Sequence, residues 1–388
     1  MVEETSQSQR FQQIAWLVWI GLAIAMSVAV LPNPKARSVT PEYRQAVHHW
    51  IAGEPLYNMG GSGFIYMPQA ALVFAPWGLL PERLGEVLWR WTILGVLAAG
   101  VFRLTRQAST DGRWFLINTV ASAAAAAGCA RNGQSTLIIT GLMILAAADV
   151  ADKRWWRAAI LLALAFAFKP VAIVLLLLVA AIHPQMLWRL TICLFVVAIA
   201  PYLTQRPDYV TSQLVACFEN SRIAFSKGET GHWAQLFGML KVVGLDLPSP
   251  VQQAGRLTAA VATLAACWFA ARWLPPARYT FYLYSLAACY LMLFNSRTEG
   301  STYAMVGPVY GVLLAEEWLG RRRTLPTIAY IAVIVATVFN FDLALLVVKR
   351  PNEIWLCPFL CTIVTIDLVW RLFLETRAGR VAPSGVHS

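Results

Sequence analysis

Apolar runs recur along almost the whole of this chain, and they decide what it can fold into. Trp16–Leu31, Leu84–Phe102, Trp114–Cys129, Thr136–Val150, Leu257–Trp273, Phe281–Phe294, Met305–Trp318 and the stretches 190–204, 327–348 and 354–372 are all apolar. A run of about 20 such residues crosses a bilayer as a helix, because only a helix satisfies its own backbone away from water. Charged residues make up 13% of the 388 positions, against about 25% in a soluble domain. The fold class expected is therefore all-α, a polytopic membrane helix bundle forming one integral domain over 1–388. Within it, 1–204 is a helical half containing a first outer loop at 33–66. A large outer loop follows at 205–254, then C-terminal helices at 255–388.

The net charge of +11 would suggest nucleic acid in a soluble protein. Here the excess Lys and Arg sit in short loops, so membrane lipids and not nucleic acid are the expected partner. With the N-terminus placed inside, RLTRQASTDGR, DKRWWR, HPQMLWR, LPPARY and GRRRTLP fall on the inner side, giving about twelve passages that follow the positive-inside rule. KRPNE and the arginine of ARNGQS are exceptions. MVEETSQSQRFQQ lacks a basic start and a small-residue cleavage site, so the first apolar run reads as a retained helix. The seven cysteines contain no C-x-x-C pair. No metal or disulfide framework is expected from them, and Cys357 and Cys361 read as packing.

Two places break the apolar pattern. In LLALAFAFKPVAIVLLLL, segments 158–168 and 171–182 are each too short to span. Lys169-Pro170 between them places an ammonium and freed carbonyls at membrane depth, where only a protein-lined cavity tolerates them. The other is SVTPEYRQAVHHWIAGEPLYNMGGSGFIYMPQAALVFAPWGLLP, residues 38–81. PEYRQAVHHWIAG reads as a short in-plane helix, with Thr40 as N-cap, Pro41 at its first position and Gly53 as terminator. Residues 67–81, bracketed by Pro68, Pro76 and Pro81, read as re-entrant or as part of a broken passage.

This topology gathers polar groups at the outer face. The carboxylates are Glu42, Glu54, Glu219 and Glu299, the histidines His48, His49 and His232. The cations are Arg131, Lys169, Arg222 and Arg297, joined by Asn132, Gln134, Asn220, Tyr43, Tyr57 and Tyr66. A carboxylate can take a proton from a sugar hydroxyl, and cations can stabilise a departing phosphate. Each has a plainer reading: a solvated face for His48-His49, a turn for Glu54, snorkelling for Arg131, a local ion pair for Arg297 and Glu299. Asp342 and Asp367 read as structural, and Glu316-Glu317 as interface charge.

The ordered set EYRQAVHHWIAGEPLYN, FIYMPQAALVFAPWGLLP, NGQSTLIITGLMILAAA and LLALAFAFKPVAIVLLLL resembles glycosyltransferase family 87. Those enzymes are polyprenyl-phosphate-mannose-dependent mannosyltransferases of the GT-C membrane fold. The likeness runs from residue 38 to about 182 and is loose beyond. It implies a GT-C-like bundle of about 12 transmembrane helices with an outer-face interfacial helix after the first. It also implies a polyprenyl-phosphate-linked sugar donor and a lipid or glycan acceptor, at the outer face of a bacterial inner membrane. The family's usual Asp, three or four residues ahead of the Tyr that here is Tyr43, is absent: those positions hold Thr40 and Val39.

The expected activity is transfer of a hexose, mannose foremost, without a nucleotide, metal or other cofactor. Glu42 is the favoured acid–base residue, with Glu299 and His232 as alternatives. Lys169, Arg131, Arg297 and Arg222 are expected to hold the donor phosphate. Gln134, Asn132, Tyr66, Tyr43 and Tyr57 are expected to shape the pocket. A lipid-linked-sugar transporter and a catalytically silent scaffold remain alternatives.

Overall fold

The computed structural model describes residues 2–58, 63–230, 233–340, 343 and 355–381. His232, Asp342 and the KRPNE break lie outside the described residues. Every regular element among the described residues is helical. Five helical stretches are long and apolar enough to cross a membrane: Ser6–Val30, Glu82–Ala108, Pro184–Thr204, Ser249–Trp273 and Leu356–Arg377. Shorter apolar helices accompany them.

Helix α1 (Val2–Val30) is followed by α2 (Thr40–Ala52), α3 (Pro68–Gly78), α4 (Glu82–Ala108), α5 (Gly112–Asn132) and α6 (Thr136–Ala151). Helix α6 is the axis of the fold. Nearly every one of its residues is buried, Thr136 and Asp149 at its two ends included, as expected of a helix that is apolar all round. It packs between α4, α7 (Trp155–Phe168) and α13 (Pro276–Phe294). Its approach to α4 depends on Gly141: a Cβ there would stand 2.3 Å from the Val96 carbonyl oxygen. Small residues at such a crossing let backbones touch where lipid offers no hydrophobic drive. Gly141→Leu is accordingly expected to lower the thermal midpoint in detergent by several degrees or to abolish folding. The melt can be followed by dye reaction at the buried thiols, such as Cys129 and Cys267; an unchanged midpoint would contradict the close crossing.

The break at Lys169-Pro170 is present. Helix α7 stops at Phe168, Lys169 is extended (φ −157°, ψ 126°), and a single 3₁₀ turn over Pro170–Ala172 leads into α8 (Ile173–Ile182). The ring of Trp155, which starts α7, lies 5.2 Å from that of His183, which ends α8. The two helices therefore form a hairpin with Lys169 at its tip. At 1.5 Å per residue α7 is about 21 Å long, short of a hydrocarbon core of about 30 Å.

Helix α2 ends at Gly53 and carries proline in its first turn, as read. Thr40 is not its cap. Val39 occupies the cap position without a side-chain bond, and the Thr40 hydroxyl instead donates to Glu86 of α4. Glu86 is buried and paired with Arg90, also buried, so its oxygens draw every nearby donor. Arg44 of α2 donates to the carbonyls of Gly78 and Leu80 at 2.6 Å each. It thereby satisfies the end of α3, an 11-residue helix too short to cross alone.

The stretch read as the longest outer loop is largely helical. After α9 (Leu187–Thr204) it carries α10 (Pro207–Thr230) and α11 (Leu236–Val242), then leads into α12 (Ser249–Trp273). The remaining helices are α14 (Gly307–Ala315), α15 (Thr324–Val338) and α16 (Leu356–Val381). Glu316-Glu317 does not behave as interface charge. Glu317 is fully buried and accepts from Arg371 at 2.6 Å and Arg321 at 3.1 Å. Arg278 adds a pair to Glu316 at 3.5 Å. Asp367 is structural as read, bonded to Arg371 at 2.6 Å and accepting from the Tyr330 hydroxyl of α15. Four chain segments converge there: Arg371 and Arg278 reach Glu316-Glu317 from other helices, while Asp367 and Arg321 pair within their own. Arg371→Met removes the shorter of the two ion pairs of the buried Glu317 and the ion pair of Asp367, and is expected to cost about 3–5 kcal/mol. A denaturant titration in mixed micelles would show it, and a shift under about 1 kcal/mol would mean that the network relaxes to satisfy Glu317 otherwise.

Candidate functional site

One large cavity, of about 420 Å³, opens at the tip of the α7–α8 hairpin. Lys169 enters it because Pro170 cannot donate to the helix and the chain must turn there. Its Nζ stands 6.0 Å from the centre of the Tyr66 ring. The Lys169 ammonium makes no hydrogen bond or ion pair among the described residues, although it lies in the field of both Glu299 and Arg297.

Arg297 and Glu299 enter from the loop between α13 and a 3₁₀ turn over Gly300–Val306. They do not pair with each other. The Arg297 guanidinium lies over Trp233 at 4.9 Å, and its Nη1 is buried without a hydrogen-bond partner. Glu299 accepts from Gln134 Nε2 at 2.9 Å, while the Gln134 carbonyl oxygen takes a longer bond of 3.4 Å from the Ser301 hydroxyl. An unpaired ammonium and a buried guanidinium with an orphan N–H are groups that an anion would satisfy.

Gln134 owes its position to a turn. Gly133 ends α5 at φ +66°, and a Cβ there would stand 2.9 Å from both Arg90 Nη2 and Thr40 Cγ2. Trp89 Nε1 donates to the Gly133 carbonyl at 2.7 Å, and Arg90 Nη2 donates to that of Arg131 at 3.2 Å. The Glu86–Arg90 pair, which the sequence reading passed over, thus braces the turn that holds Gln134. Its signal was present: two opposite charges four residues apart inside an apolar helix.

The rest of the wall is mixed. Val39, Ile65, Met67, Val171, Leu214 and Phe218 are apolar, while Ser135, Thr136, Ser221, Asn295 and Ser296 are polar. Tyr66 lines the cavity, Tyr43 donates to its hydroxyl at 3.1 Å, and Tyr57 donates to its carbonyl at 2.6 Å. Burial holds the Tyr66 and Tyr43 phenols above their ordinary value, so both are neutral hydroxyls at pH 7.

Glu42 lies elsewhere. It lines a separate cavity of about 120 Å³ with Gln45, His49, Tyr57, Asn58 and Phe64. The rings of Tyr57, Phe64 and Tyr66 lie in a row between the two spaces, the first pair tilted and the second edge to face, with centroids 5.9 and 5.6 Å apart. Arg131 also turns away, donating to the Ala36 carbonyl at 3.0 Å. Asn132 contributes its carbonyl to Val39 N at 2.9 Å, and Arg222 is exposed on α10. His49 forms a 3.6 Å ion pair with Glu54 when protonated.

A family model matches residues 64–296 of this chain, more than half its length, and it is that of glycosyltransferase family 87. The chain belongs to glycosyltransferase family 87. Among curated proteins, none matches it. With its five long apolar helices, this family 87 member is an integral membrane glycosyltransferase. The matched span takes in Tyr66, Gln134 and Lys169, whereas Glu42 precedes it and Arg297 and Glu299 follow within three residues of its end.

Proposed function

We propose that this enzyme transfers a hexose, mannose foremost, from a polyprenyl-phosphate-linked donor to a hydroxyl of a lipid or glycan acceptor. The reaction takes place at the outer face of a bacterial inner membrane, in a GT-C-like bundle of about twelve passages with α2 lying in the interface. The observation that carries the reading is that Glu299, Lys169 and Arg297 line one cavity. The apolar part of that wall suits the first isoprene units of the donor, and the two cations suit its phosphate.

Glu299 is the general base of this proposal. Of the two positions at which the family resemblance implies an acid, Val39 lines the cavity with an apolar side chain. Thr40 is fully buried against Glu86. Glu42 stands behind the aromatic partition. Glu299 is the carboxylate in the cavity wall, and Gln134 orients it while leaving its other oxygen for a hydroxyl. It takes the acceptor proton as that oxygen bonds to the anomeric carbon. The bond from the anomeric carbon to the phosphate oxygen breaks, and polyprenyl phosphate leaves with the electron pair. Lys169 and Arg297 stabilise the charge that develops on it.

The test is transfer from radiolabelled polyprenyl-phosphate-mannose in membranes holding the wild-type chain. Transfer to an extractable lipid or glycan supports the reading. Binding of the donor without transfer, with other lipid-linked sugars also inert, would overturn it in favour of carriage across the membrane.

A further inference from the structure

At the far end of α7 from Lys169, a second cluster of cations stands among tryptophans, and the transfer reaction has no use for it. The Arg189 guanidinium lies 4.3 Å over the Trp188 ring and 5.8 Å over that of Trp156. Those two indoles meet edge to face at 5.0 Å. Both are exposed large apolar groups at the starts of α7 and α9. Arg189 is fixed further by donating to the Gln185 carbonyl at 2.5 Å.

Arg154 and Arg157 flank the same start of α7. Arg157 Nε lies 3.3 Å from Asp149, yet its side chain keeps 63% exposure. Arg154 is 48% exposed, with only long contacts of 3.9 Å to Asp149 and 4.0 Å to Asp152. Asp149 is nearly buried, at 3%, and Asp152 is engaged by Arg103, so the surface presented outward is cationic. Two helix N-termini add positive potential there. Tryptophan marks the headgroup level of a bilayer, and basic pockets between transmembrane helices suit acidic lipid headgroups.

We infer that Arg154, Arg157 and Arg189, framed by Trp156 and Trp188, form a binding site for the headgroup phosphate of an anionic phospholipid. The stacked Arg189 supplies a fixed fork and Arg157 a mobile one. The indoles cover the upper acyl chains. Zwitterionic lipids share the phosphate but carry a compensating ammonium, which the exposed arginines repel.

The experiment is native mass spectrometry of the full chain in detergent, titrated with phosphatidylglycerol or with phosphatidylcholine of the same chains. Phosphatidylglycerol is expected to be retained in preference, and the preference to fall about fivefold for each of Arg157→Gln and Arg189→Gln. Arg157 is exposed but faces the nearly buried Asp149, so a thermal melt equal to wild type is required of its variant. The same is required of Arg189→Gln. Arg83→Gln, on the opposite end of α4, serves as the charge-matched control and is expected to leave retention unchanged. Equal retention of both lipids, or equal loss in the control, would overturn the site. Displacement of phosphatidylglycerol by millimolar inorganic phosphate would overturn its assignment to a lipid.

Discussion

Glu299→Gln is expected to lower sugar transfer by about 10²- to 10⁴-fold, the usual worth of a positioned general base, while Glu42→Gln stays near the wild-type rate. The amide keeps the size of the carboxylate and its contact with Gln134 at 2.9 Å, so the variant removes a proton acceptor and little else. Initial rates with radiolabelled donor, normalised to folded protein, separate the two positions. Loss confined to Glu42→Gln would place the chemistry behind the aromatic partition and sink the assignment of Glu299.

The second large effect is expected at Lys169. Lys169→Met keeps the length of the side chain and its place beside Tyr66 but deletes the ammonium. Stabilisation of a leaving group by one fixed donor contributes about 10²- to 10³-fold, so kcat/KM should fall by about that amount. The defect should persist at saturating donor, because charge on the phosphate is greatest in the transition state. Lys169→Arg should recover little: a planar fork does not replace a compact ammonium at a tight helix break. A fall in affinity with an unchanged kcat would instead make Lys169 a docking residue only.

Lys169 was legible in the sequence because a lysine before proline inside an apolar run has no inexpensive explanation other than a cavity. Glu42 was favoured by its place in the first outer loop, and helix geometry explains why it faces elsewhere. Adjacent helical residues point about 100° apart. Tyr43 is buried under Tyr66 and Phe74, so Glu42 must turn toward Asn58 and Gly63. That step needed only the knowledge that Tyr43 faces inward. Arg297 and Glu299 showed as polar groups at a helix end, but nothing local says that a loop after α13 meets a turn after α5. That meeting is a property of the packing around α6. Helix α10 was hidden for a different reason: PDYVTSQLVACFENSRIAFSKGET is too polar to register as a membrane passage, and no proline interrupts it. The Glu86–Arg90 pair was overlooked because the apolar residues around it made the run read as a plain span.

The Arg44 clamp gives the cavity two unequal sides. On one, α2 is bolted to the turn between α3 and α4 through the carbonyls of Gly78 and Leu80, and α4 is bolted in turn to the start of α2 through Glu86. These pieces can only travel together. On the other, α10 is tied to the segment after α2 through Gln213 to Leu56 N at 2.9 Å and Tyr209 to the Glu54 carbonyl at 2.6 Å. Moving α2 would break the Arg44 clamp and the Thr40–Glu86 bond together. The side of the cavity that carries Tyr66 is therefore braced through α2 and α4, while α10 closes the other side through ties to the segment after α2.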